Sequence, residues 1–203
     1  MKRFAVLLAA VAATAFAACH INLVPETDFT DPKIFDLASP SPVTGLPFVV
    51  EVETFSNECS GRFKMIFRED ENRISVDEYN RWAMPPAAML TKYLSARFAA
   101  TPGNPGEQPK PVFSLDGSVL TCELNTQTKE VALMVHYIIT EPPEDTFKIS
   151  GTRSYSVPVP DDSAESFAAG MNKAAELFAD DVVKLLGSEL QNRAARKSAQ
   201  KPL

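Results

Sequence analysis

The amino-acid sequence predicts an α+β fold: one mixed or mostly antiparallel sheet with two main helices packed on one face. Two observations lead there. Several runs alternate apolar and polar residues with the period of a strand, and two stretches repeat apolar residues every three or four positions, as a helix does. Their order is the third: strands, a helix, three strands, a helix. Two helices laid on one side of a single sheet is the simplest way to bury all of these apolar stripes together.

The elements follow in chain order. Lys33 to Leu37 reads as a first strand. Pro40, Pro42, Gly45 and Pro47 mark a loop, and Phe48 to Phe55 alternates from Val50 onward. Arg62–Arg68 is a further strand and Arg73–Val76 a short one, with Glu69, Asp70 and Glu71 as a solvated turn between them. Asp77 is expected to begin a helical stretch. Pro85-Pro86 then marks a fresh helix start, because proline suits a first turn and not an interior. Met89, Leu90, Tyr93, Leu94 and Phe98 give the stretch Ala87–Ala100 one apolar face. Thr101–Pro111 is rich in proline and glycine and reads as an exposed loop.

Three strands come next, Val112–Leu124, Glu130–Thr140 and Thr146–Val157, the first expected to break near Asp116-Gly117. In Glu130–Thr140 both sides are apolar, which predicts a central strand covered at least partly on both faces. Asp162 followed by Glu165 resembles a capping box. From there Phe167, Met171, Ala174, Phe178, Val182, Leu185 and Leu186 hold one face of a long helix from Ser163 to about Asn192.

The amino terminus is of another kind. Lys2 and Arg3 precede an apolar run, Phe4–Ala18, that ends in Phe16-Ala17-Ala18-Cys19. A basic start, a short apolar stretch and small residues before a cut site describe an export signal. The run is too short to span a bilayer, which takes about 20 residues. The cysteine after two alanines looks like a lipobox, which makes Cys19 the lipidation site and the membrane contact an acyl anchor. Ordinary cleavage after Ala15-Phe16-Ala17 is the alternative. This divides the chain into a signal peptide (1–18), a tether (19–32), one domain (33–192) and a basic flexible tail (193–203).

Composition narrows the partners. The chain has 203 residues, 45% of them hydrophobic, and a formal charge of −6 that becomes more negative when Lys2 and Arg3 are removed. A mildly acidic surface gives no support for nucleic-acid binding. With Cys19 lipidated, Cys59 and Cys122 remain as an even pair in an oxidising compartment. Either they form a disulfide or they are two buried thiols.

Chemistry for catalysis is hard to assemble. The two histidines are His20, beside the anchor, and His136, mid-strand. No nucleophile elbow, glycine-rich phosphate loop or zinc-type Cys/His spacing occurs. No catalytic, metal or cofactor residues are therefore assigned, and the reading is not an enzyme. The segment that stands out is Asn72–Leu90, which holds the only tryptophan and ends in the run Tyr79-Asn-Arg-Trp82-Ala-Met-Pro85-Pro86-Ala-Ala-Met-Leu90. Tyr79, Trp82, Pro85 and Pro86 are either local architecture under the helix start or a partner-binding surface, since aromatics anchor interfaces.

That run, with the lipobox at Cys19, the strand Phe63–Arg68, the strand block Val112–Val159 and the closing helix Ser166–Leu190, resembles the ABC-type transport auxiliary lipoproteins, the PqiC-like family. The resemblance covers nearly the whole chain from about Lys33. It implies a periplasmic, lipid-anchored accessory working with an MCE-domain protein and an ABC permease and ATPase that move lipids or other apolar molecules. His20, in place of Asp after the lipidated cysteine, implies the outer membrane. Partners built as rings make a homo-oligomer an expectation. The alternative is an envelope assembly or structural lipoprotein with no transport role.

Overall fold

A computed structural model describes residues 31–99, 109–142 and 148–199. The signal, Cys19, His20 and most of the tether lie outside the described residues, as does most of the Thr101–Pro111 loop. The folded body is the unit Pro32–Leu203.

Eight strands form one open mixed sheet: β1 (Ile34–Phe35), β2 (Val49–Val52), β3 (Ser56–Asn57), β4 (Lys64–Arg68), β5 (Ile74–Trp82), β6 (Val112–Asn125), β7 (Glu130–Thr140) and β8 (Lys148–Pro158). The helices are α1 (Pro86–Arg97) and α2 (Ala164–Ala199). The main path across the sheet is β1-β5-β4-β6-β7-β8. β6, β7 and β8 make an antiparallel meander, and β4–β5 an antiparallel hairpin. The far side of β6 is taken in relay: β2 pairs with its start, β3 with its middle and β4 with its end, all parallel.

The α+β class is as expected, and the helices share one face. Met89, Leu90, Tyr93 and Leu94 of α1 and Phe167, Met171, Phe178, Val182 and Leu186 of α2 join one cluster with Val131, Leu133, Val135, Tyr137 and Ile139 of β7. Phe178 is its hub, with edge-on or tilted contacts to Phe55, Tyr137 and Tyr155. Such pairs add about 0.5–1.5 kcal/mol each beyond the area they bury. The other side of β7 (Ala132, Met134, His136, Ile138) is half-buried. Its cross-strand neighbours there are Thr121, Ser118, Ser154 and Thr152, so polar side chains flank the apolar ones.

Four expectations are corrected. Residues 77–82 are strand, not helix. β4 pairs with Ile74–Val76 and again with Arg81, where β1 pairs from the other side, and in the irregularity between these contacts Asp77 Oδ1 accepts the N–H groups of Tyr79 and Asn80. β6 is not broken at Asp116-Gly117; its irregularity falls between Val119 and Thr121. Gly117 is needed for another reason, because a Cβ there would strike the His136 carbonyl and the Phe55 ring. At the start of α2, Ser163 is the cap: its Oγ accepts the Ser166 N–H at 3.2 Å. Asp161 holds that arrangement, and Asp162 and Glu165 turn instead to Lys129 and Lys33. α2 also continues past Asn192 to Ala199.

Candidate functional site

The tryptophan block spans the end of β5 and the start of α1. Trp82 enters the core because β5 pairs on both sides, leaving its alternate side chains to face the helical layer. It is 2% exposed and meets Phe167 edge-on with ring centroids 5.1 Å apart. Its Nε1 has no hydrogen-bond partner among the described residues. Trp82 is thus architecture and unavailable as a surface anchor. Pro85 precedes the helix in extended conformation (φ −53°, ψ 143°), and Pro86 occupies the first turn, where a missing N–H costs nothing. Asn57 Oδ1 accepts the Ala87 N–H at 3.2 Å, and the Met89 N–H reaches Pro85 O.

Tyr79 is the exposed aromatic of the block, at 58%. Near it along the same strands, Ile34 (71%) pairs opposite Arg81, and Phe63 (42%) accepts the Trp82 N–H at its carbonyl. Arg62 lies over the Phe63 ring at 5.5 Å. Large apolar side chains are therefore left in solvent on β1, on β5 and just before β4.

A strap from Asp36 to Val43 crosses the helices. Lys92 pairs with Asp36, Asn172 accepts the Ala38 N–H, and Arg97 donates to Ser41 O. These contacts lock the segment after β1 onto α1 and α2.

Cys59 and Cys122 are both free thiols. They line one cavity of about 110 Å³ with Ile66, Arg68, Ile74, Leu120 and Glu123. Burial pushes the Cys59 thiol up from its ordinary value. Burial, with the charges of Cys59 and Glu123, pushes Cys122 well above it, and the Cys122 Sγ lies 3.6 Å from Met171 Sδ. Both are held protonated, the opposite of an activated nucleophile. Beside them Arg68 grips Glu123 with two nitrogens, at 2.5 and 2.9 Å.

His136 sits on the outer face and contacts the Thr152 hydroxyl at 3.3 Å. Glu69 and Asp70 pair with Arg73 in the β4–β5 turn, as the solvated-turn reading expects. Sequence reasoning missed a groove between β8 and α2, lined by Arg153, Asp181, Lys184, Leu185 and Ser188. Only the fold brings Arg153 to that helix stripe. No helix among the described residues is long and apolar enough to cross a membrane.

The structure is an open sheet backed by two helices, with one half-buried and one buried thiol and with large apolar side chains exposed on β1, on β5 and just before β4. The chain belongs to the ABC-type transport auxiliary lipoprotein component family, whose model matches residues 61–183. Membership carries a membrane-anchored place in the cell envelope and association with an ABC-type transport system. Among solved structures, the chain is similar to an uncharacterized protein (11% identity, TM-score 0.60) over 77% of this chain and 99% of that one. It is also similar to a DUF330 protein from Xanthomonas campestris (14% identity, TM-score 0.59) over 79% and 99%. At these identities the likeness is one of fold. No curated protein matches the sequence.

Proposed function

We propose that this protein is a docking module, anchored by lipid on Cys19 and facing the periplasm, that serves an ABC/MCE-type transport system moving lipids or other apolar molecules. Its partners are an MCE-domain protein and the permease and ATPase of the same system, and a ring-shaped homo-oligomer suits such partners. The observation that carries the reading is the family match over residues 61–183. The lipobox supports the anchor, and His20 after Cys19 supports the outer membrane.

The proposed processing leaves Cys19 as the first residue and 19–32 as the tether. Fully extended, 14 residues reach at most about 50 Å, which bounds how far the domain stands from the bilayer. One buried acyl chain holds only marginally, whereas two or more make anchoring stable. Tyr79, solvent-facing, is the aromatic member of the tryptophan block open to a partner.

Radiolabelled palmitate and membrane fractionation test the anchor. Wild type should incorporate label and sediment with membranes, and Cys19→Ser should do neither. A label-free wild type in the soluble fraction would overturn it. Affinity recovery from detergent-solubilised membranes tests the partnership: MCE and ABC components should co-purify, and their absence counts against docking.

A further inference from the structure

The two edges of the sheet are finished differently. One ends in β1, two residues long, which covers β5 only at Arg81 and Trp82 and is pinned by the Arg81 N–H to Lys33 O and by the strap that follows; the rest of that edge is the irregular stretch of β5. A short, strapped strand offers little to pair with. The other edge is β8, eleven residues, with an unbroken register to β7 from Lys148 to Pro158. Among the described residues, no backbone hydrogen bond other than those to β7 engages this strand. Soluble proteins usually shorten, bulge, charge or cover such an edge. β8 has no bulge, and its proline stands at the very end.

Behind the edge lies the groove. Asp181, Lys184, Leu185 and Ser188 follow each other at helical spacing, so they form one stripe of α2 facing β8. Arg153 comes from β8 itself, and the open space among them is about 200 Å³. Asp181 is engaged: Tyr155 donates to its Oδ2 at 2.9 Å and Lys184 lies 3.4 Å from Oδ1. Arg153 has no hydrogen bond or ion pair among the described residues. An unclaimed guanidinium, beside an ammonium that shares its charge with Asp181 and next to an open strand edge, asks for a carboxylate carried on an extended chain.

We propose that β8 and this groove bind an extended peptide segment of a partner protein. The segment adds as a strand to the β8 edge, with an acidic side chain directed at Arg153 and Lys184. Main-chain hydrogen bonds to the edge supply affinity, and alternate side chains, falling on the α2 side, supply selectivity. A carboxylate opposite Arg153 can accept two parallel N–H bonds from the guanidinium. The side chains between face Thr152 and Ser154, so that side of the segment need not be apolar.

This deepens the docking reading and rests on it, but the two fail separately. Membrane co-purification tests docking, whereas peptide binding is measured on the purified full chain in detergent. The probe is a fluorescein-labelled nonapeptide alternating valine and threonine around a central glutamate. Its controls carry lysine at the centre or N-methyl groups on alternate residues, in each of the two phases. The glutamate peptide should shift β8 amide resonances and slow their hydrogen exchange. It should bind at least about tenfold tighter than the lysine peptide, since like charges are penalised there. One methylated phase should lose binding, and Arg153→Ala should erase the glutamate preference without changing the unfolding midpoint. The proposal is overturned if β8 amides do not respond, if both methylated peptides bind like the parent, or if lysine and glutamate bind equally. Sedimentation showing a dimer whose β8 amides are protected without peptide would also overturn it, by assigning the edge to a second copy.

Discussion

Tyr155 of β8 donates its hydroxyl to Asp181 of α2 at 2.9 Å, tying the outermost long strand to the long helix. Burial first, and then this bond, pushes the Tyr155 hydroxyl up from its ordinary range. The bond also keeps the Asp181 carboxylate turned toward the strand, leaving Arg153 without it.

The consequence for stability is a matter of sign. A tyrosine whose folded pKa lies above its unfolded one contributes stability that is complete below pH ~10 and is lost as pH rises further. Tyr155→Phe should remove that alkaline loss and cost about 1 kcal/mol at neutral pH. Urea unfolding at pH 7 and pH 11, compared between wild type and variant, checks both parts.

A second prediction concerns acid. The Ser163 and Ser166 hydroxyls, and then the Ser163 N–H, lower the Asp161 carboxyl to about 2. Its contribution is present above the unfolded carboxylate pKa and disappears as pH falls toward 2. Asp161→Asn should flatten the acid limb of the unfolding-midpoint curve between about pH 4 and pH 2. Ser163→Ala, which removes both the cap and the first cause of the Asp161 shift, should cost about 1 kcal/mol near neutral pH and less as pH falls toward 2.

Trp82 and Tyr79 should separate cleanly. Because Trp82 is the sole tryptophan and is buried against Phe167, its emission should be blue-shifted and poorly quenched by acrylamide. Phe167→Ala should cost about 3–5 kcal/mol and expose Trp82 to quencher. Tyr79→Ala should change stability by no more than about 0.5 kcal/mol. Any loss of partner recovery it causes is then a surface effect.

The thiols give a fourth test. In native, reduced protein Cys59 should react slowly with a thiol reagent and Cys122 not at all, and both should react after unfolding. Equal, fast labelling of the folded protein would contradict the burial that pushes both thiols up.

Much of this architecture is legible because its signals are local. β7 runs from Glu130 to Thr140 as expected, since an eleven-residue run rich in β-branched and aromatic residues between turn formers leaves little choice. α1 was legible from its prolines. The misreading of residues 77–82 has a physical cause. Asp77, Glu78, Asn80 and Arg81 carry no strand preference; the chain is held extended by pairing on either side of them, Ile74–Val76 with β4 and Arg81 with both β4 and the distant β1, while 77–80 fall in the irregularity between those contacts. The capping of α2 was half visible: the acidic pair was seen, but Ser163 took the role because Lys129 and Lys33 drew Asp162 and Glu165 away. The β8 groove was hidden for the same reason. Arg153 looks like an ordinary surface cation until the sheet sets it beside Lys184.

The relay along β6 bears on how the polypeptide matures. β2, β3 and β4 all precede the strand that organises them, and none of them pairs with another of the three. A chain threaded through a secretion channel from its amino end would deliver these segments long before Val112 emerges. β4 could close its hairpin with β5 at once, but β2 and β3 would have no template to settle on. Closing such long loops is slow, so in a chain delivered that way these two segments would stay pliable until the trailing half had arrived.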